Sequence, residues 1–160
     1  MSDQQHCPHL TPNTGDWHLW NVGMLIAQLQ SLEFSARIAI ATMTGTRSGA
    51  DLRALQPGQW ASEDPITNYD QLTTVLAKFN GLVSARQQLN VAEIVNLRDQ
   101  LAHGRVASGD PTFPLILLKF GRSLDGKVPV LARIEMTETW FANQWGLVFE
   151  ALQTVYLAAR

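Results

Sequence analysis

Apolar residues recur at spacings of three and four in four separate stretches of the chain. Val22, Ile26, Leu29, Ala36, Ile40 and Met43 form the first stripe, and Leu25, Leu32 and Ala39 widen it. That period predicts a long amphipathic helix running from Asp16, as its capping residue, to near Gly45. Thr67 and Asp70 make a capping pattern ahead of Leu72, Val75, Leu76 and Phe79, and this second helix closes at or near Gly81. Asn90 and Glu93 open a third, with Val91, Ile94, Leu97 and Leu101 on one face. Gly104 is expected to end it in the left-handed conformation. Thr137 caps the last helix, whose stripe holds Phe141, Trp145, Val148, Phe149, Leu152, Val155 and Tyr156.

The pattern changes between the third helix and the last. Residues 113–120 (FPLILLKF) and 127–134 (KVPVLARI) are short apolar runs, separated by GRSLDG. Asp125-Gly126 is a turn signal, so the segment predicts a β-hairpin whose second strand Pro129 confines to a sheet edge. A buried helix start is the alternative for 113–120. Residues 46–66 read as a long loop with a short helical turn near 51–55, and residues 1–15 as a flexible N-terminal arm. The expected fold is mainly α: one domain over 16–160, an antiparallel bundle of four to five helices with a β-hairpin inserted near 113–134.

Composition narrows what such a domain can do. Hydrophobic residues make up 46% of the 160 and charged residues 16%. The usual charged share is about 25%, so a highly charged disordered chain is excluded. Twelve basic and fourteen acidic side chains give a net charge of −2, which excludes a broadly basic nucleic-acid coat. Work on RNA or DNA must come from a local site. Five Trp supply apolar surface for a core and for contact with a second copy. Cys7 is the only cysteine, so no intrachain disulfide forms, which fits a reducing cytoplasm. Neither a signal peptide nor an apolar run of about 20 residues is visible. The expectation is a soluble, cytoplasmic protein with no membrane contact.

The segment with the most chemistry is LRDQLAHGR, residues 97–105. Leu97 and Leu101 anchor it, leaving Arg98, Asp99 and His103 as polar groups. Asp99 and His103 are four apart and share a helix face, so the carboxylate can hold one imidazole nitrogen. Arg98 and His103 lie about 140° apart around the axis, within the sweep of a long Arg side chain. Arg offers a planar fork for phosphate oxygens, and His moves a proton near neutral pH. The pair suits phosphodiester cleavage without metal, by attack of a ribose 2′-OH on the adjacent phosphate. An ordinary ion pair near a helix end is the competing reading of the same residues.

RDQLAHG resembles the R-x4–6-H motif of the HEPN superfamily, the higher eukaryotes and prokaryotes nucleotide-binding domains. Arg98 and His103 match it with four residues between, and Asp99 matches the polar residue that follows the Arg. The helical context over 16–160 is similar too. The resemblance implies a metal-independent endoribonuclease of toxin or phage-defence type. It further implies a homodimer lining one cleft with two motifs, and an antitoxin protein as partner. Arg98 and His103 would then be catalytic, with Asp99 orienting. Some HEPN toxins place a modified Tyr two residues after the His. Arg105 stands there instead, so that control is not expected, and Arg105 would contact RNA phosphate. The resemblance equally covers non-catalytic modules that bind a nucleotide or a protein, and a plain structural bundle is a third reading.

Five other features bear on the site. Glu33 interrupts the first stripe, either as an auxiliary acid reaching Arg98 or His103 or as a carboxylate at the stripe's edge. His6, Cys7 and His9 are too cramped for ordinary zinc spacing, so no metal and no cofactor are expected. Trp17 and Trp20 read as core or interface anchors. Arg47 and Arg53 fall in the long loop, and Lys119, Arg122 and Lys127 form a small basic edge at the hairpin.

Overall fold

The computed structural model describes residues 10–46, 54–108 and 113–160. The protein is mainly helical, with a small three-stranded antiparallel sheet. In chain order the elements are α1 (Gly15–Met43), α2 (Leu72–Leu82), a 3-10 turn (Ala85–Gln87), α3 (Val91–His103), β1 (Arg105–Ala107), β2 (Ile116–Phe120), β3 (Val130–Glu135) and α4 (Glu138–Ala158). The four helices and the hairpin thus stand where the apolar periodicity puts them. The helical turn expected near 51–55 lies largely outside the described residues.

The chain divides into two compact units. The first comprises residues 1–26 and 97–146, the second residues 27–96 and 147–160.

In the first unit, Trp17, Leu25, Leu117, Met136 and Phe141 form a buried cluster, with Leu10, Leu101 and Ile134 packed on it. β2 is the central strand. Leu117 pairs with Val106 on one side and Ile134 on the other, and it turns into the core. Leu124 bridges to Lys127 around Asp125 and Gly126, both at positive φ. This is the two-residue hairpin turn that Asp-Gly favours. Pro129 directly precedes the edge strand β3, and its carbonyl accepts the Gly121 N–H. The strands are shorter than the apolar runs: Pro114 has no N–H to give, and pairing with β3 begins only at Ile116.

His18 is buried among these elements. Its Nδ1 lies 2.9 Å from the carbonyl of Thr14 and its Nε2 lies 3.0 Å from that of Met136. Phe113 stacks on the ring, while Trp17 and Phe141 meet it edge-on. Asn21, also buried, donates to the Trp17 carbonyl and accepts from the Trp145 indole. Leu10 and Thr14, which the sequence assigns to the arm, thus belong to this packing; residues 1–9 lie outside the described ones.

In the second unit the organising group is Arg37, 7% exposed. Its guanidinium donates to the Glu33 carboxylate, to the backbone carbonyls of Pro65, Asn68 and Asp70, and to the Asn68 side chain. Five donors in a rigid fork can gather a loop in this way. The segment ahead of α2 is therefore wound around a charge.

Three expected helix ends are corrected. The cap of α1 is Thr14, whose hydroxyl accepts the Trp17 N–H, with Asp16 inside the first turn. Thr67 and Asp70 do not cap α2, which starts at Leu72 after Gln71. Thr67 instead closes a turn with Asp64, and Asp70 pairs with Lys78 at 2.6 Å. Gly104 has no positive φ, whereas Gly45 does, just beyond α1. The caps at Asn90 and Thr137 form as expected, accepting the N–H groups of Glu93 and Trp140.

Two stability effects follow. Replacing His18 with Leu removes the partner of a buried carbonyl, so unfolding in urea is expected to show a loss of about 2–3 kcal/mol; a loss below about 0.5 would contradict the bridging role. The hydrogen bond from Lys78 holds the Asp70 carboxyl below its ordinary value of 3.8, with the Lys78 and Arg37 charges adding to this. A depressed acid stabilises the fold above its unfolded value and loses that contribution as pH falls through the folded one. The gap in urea midpoint between wild type and Asp70→Asn is therefore expected near neutral pH and closes as the pH drops below 3.8.

Candidate functional site

The candidate site is built at the junction of α3 and β1. Leu97 is buried and Leu101 packs on the core cluster, so the last turns of α3 are pinned by their apolar side. Arg98 and Asp99 are each about one-third exposed, and His103 is exposed in the final turn. The Gly104 N–H closes the helix on the Gln100 carbonyl at 2.8 Å. Arg105 then opens β1, which pairs with β2.

Gly104 is glycine because of what lies against it. A Cβ there would collide with the Gln100 carbonyl oxygen and sit 3.0 Å from the Leu117 side chain. The chain must pass this close to β2 for α3 to hand over directly to β1. β1 itself went unforeseen, since three residues are too few to display a period of two.

Asp99 does not orient His103. Its Oδ1 lies 3.2 Å from Nη1 of Arg98, and among the described residues the His103 ring has no hydrogen-bond partner. A pair this exposed is worth about 0–1 kcal/mol. A phosphate can therefore displace Asp99 from the guanidinium at small cost, and both imidazole nitrogens are open to a ligand. The Arg105 guanidinium lies over the Phe120 ring, 5.2 Å from its centroid. Arg105 is thus held by a ring, and no ion pair to it is found among the described residues.

Glu33 is not an auxiliary acid for this site. It belongs to the second unit, where its Oε1 is 2.8 Å from Nη2 of Arg37. The sequence reading missed Arg37 and the burial of His18. The signal for Arg37 was the Glu33–Arg37 spacing of four on an otherwise apolar stripe. Trp17 is a core residue as expected. His6, Cys7, His9, Arg47 and Arg53 lie outside the described residues. Among the described ones, no group of three or more His, Cys, Asp or Glu could hold a metal ion, and no helix is long and apolar enough to cross a membrane.

The second unit holds an open pocket of about 320 Å³ beside Ile40, Glu63, Asp70, Val75 and Lys78. Its Lys78 ammonium is bonded to Asp70, and its walls are apolar and acidic. It is a poor seat for phosphate.

Compared with protein-family models, curated proteins and solved structures, the chain matches none.

The close approach at Gly104 can be tested directly. Gly104→Ala is expected to cost about 1–3 kcal/mol in chemical denaturation, since the backbone must shift to admit the methyl group. A neutral substitution would mean that α3 and β1 are not held together there.

Proposed function

We propose that the protein is a HEPN-like, metal-independent endoribonuclease of toxin or phage-defence type, acting in the cytoplasm as a homodimer with its helices packed as an antiparallel bundle. The observation that carries this reading is the accessible Arg98 and His103 on the last turns of α3, at the R-x4-H spacing, with no protein group bonded to the imidazole among the described residues. The charge distribution supports it. Six of the twelve basic side chains and only three of the fourteen acidic ones fall within residues 98–133, although the whole chain carries −2. Self-association is supported by apolar side chains left on the surface, with Leu19 70% exposed on α1 and Phe149 59% exposed on α4.

In this mechanism a ribose 2′-oxygen attacks the adjacent phosphorus while an imidazole takes its proton. The P–O5′ bond breaks, the 5′-oxygen is protonated, and a 2′,3′-cyclic phosphate remains. Two His103 side chains in one cleft would serve as base and acid. Arg98 would neutralise the charge gathering on the phosphoryl oxygens, after the phosphate displaces Asp99. An antitoxin protein would act by covering the cleft.

The Arg98–Asp99 pair favours one alternative, a non-catalytic module that binds a nucleotide or a protein partner. A guanidinium already neutralised would then serve recognition only.

The two separate on incubation with single-stranded RNA in excess chelator. His103→Ala and Arg98→Ala are each expected to lower cleavage at least about 100-fold, and wild-type products should end in cyclic phosphate. Asp99→Asn should cleave as well as wild type or better, because it frees Arg98. Equal cleavage by wild type and His103→Ala, or none by either, sinks the catalytic assignment. Light scattering should give twice the chain mass of 17.7 kDa.

A further inference from the structure

The sheet has a second, half-buried face. Leu117 and Ile134 point inward, so the alternate residues Ile116, Leu118 and Phe120 lie on the opposite side of β2. The register completes that side. Arg105 of β1 and Arg133 of β3 both pair with Leu118, forming one row across three strands. Phe120 stands next along β2, with the Arg105 guanidinium over its ring. None of the three β2 side chains is fully buried, and Arg133 is 54% exposed.

Two guanidiniums flanking an apolar row that ends in a ring have a specific chemical meaning. A phenyl ring and a guanidinium plane both stack on nucleobases, and each Arg can bind a phosphate. The Arg105–Phe120 pair is already layered, so a base would extend an existing stack. Among the described residues Arg133 is held only by Glu135, two residues away at 2.9 Å and equally exposed. The surrounding charge has the right sign, for Arg122 and Lys127 lie in the same hairpin, within the cation-rich tract.

We propose that this outer sheet face is a docking platform for single-stranded RNA, gripped by Arg105, Phe120 and Arg133, which leads the strand toward His103. The inference rests on the nuclease reading for the purpose of the platform, though not for its binding chemistry. The chain passes from His103 through Gly104 straight into β1, so platform and motif are consecutive. Stacking requires unpaired bases, and the platform therefore selects single strands over duplex.

The test is fluorescence anisotropy with a labelled oligouridylate, using the full chain with every substitution made in the catalytically disabled His103→Ala background, so that the RNA stays intact. That background is expected to bind the oligouridylate more tightly than an RNA duplex of equal length. Phe120→Leu keeps the apolar bulk and should weaken binding about tenfold through lost stacking. Arg133→Glu should weaken it by at least as much. Its slope of log affinity against log salt should fall by about 0.7 for the lost charge. Glu135→Gln releases Arg133 and should tighten binding severalfold. Circular dichroism and melting of each variant separate a binding defect from misfolding; for a misfolded Phe120→Leu, the exposed Arg133→Glu and Glu135→Gln decide.

The outcomes distinguish the two readings. Platform-dependent binding without any cleavage keeps the platform and removes the nuclease. Cleavage and binding unchanged by Phe120→Leu and Arg133→Glu remove the platform and keep the nuclease. Equal affinity for duplex and single strand, or no binding of the oligouridylate by the His103→Ala protein, overturns the platform.

Discussion

A buried imidazole must find partners for both ring nitrogens: His18 Nδ1 lies against the Thr14 carbonyl, and Nε2 faces the Met136 carbonyl and the Leu115 N–H, about a hundred residues further along the chain. Much of the first unit is positioned by that bridge. Met136 is held beside the start of α1, and its N–H donates to the Leu115 carbonyl. This fixes the register of β3 on β2. β2 in turn sets Leu117 against Gly104 and so places the end of α3. The candidate site therefore inherits its geometry from a polar contact that touches none of its residues. Aromatic rings on several sides exclude water from that contact, which makes each lost hydrogen bond costly.

The second unit solves a similar problem with a charge. A buried guanidinium is expensive unless its donors are satisfied, and Arg37 satisfies them with Glu33 and the carbonyls of a loop. Asp64 and Thr67 close a local turn in that loop, and Arg37 fixes the carbonyls on either side of it. Both units thus use one buried polar side chain of α1 to gather segments from elsewhere in the chain.

That division explains what was legible in the sequence. Helices with apolar stripes, the caps at Asn90 and Thr137 and the Asp-Gly turn depend on neighbours within a few residues, and all could be read. The cap at Asp16 failed because Thr14, two residues earlier, made the better bond, and that at Thr67 because Thr67 closed a turn with Asp64 while Asp70 paired with Lys78. Asp99 had two cationic candidates and took Arg98, the adjacent one, where spacing alone favoured His103. Gly104 looked like a helix stop chosen for its backbone freedom. Its steric reason is the Gln100 carbonyl four residues upstream, with the Leu117 side chain of β2 crowding the same spot from thirteen residues downstream. The Arg98–His103 spacing was legible as a motif, but its openness was not, since exposure belongs to tertiary structure.

The scarcity of charge acquires a physical sense from these pairings. Within the cation-rich tract, Arg98 and Arg133 are each held by an acid within two residues, at half-exposed or exposed positions. Such pairs form without long-range ordering and add little to stability. A ligand phosphate can compete with Asp99 and Glu135 because only a weak interaction must be given up. Arg105 follows another rule, for a ring holds it in place and no ion pair to it is found among the described residues. On the proposed RNA-binding reading, a chain with a net charge of −2 keeps these cations tied down until a polyanion arrives. Specificity would then arise from stacking and from the short path between β1 and His103, with electrostatics supplying only the final grip.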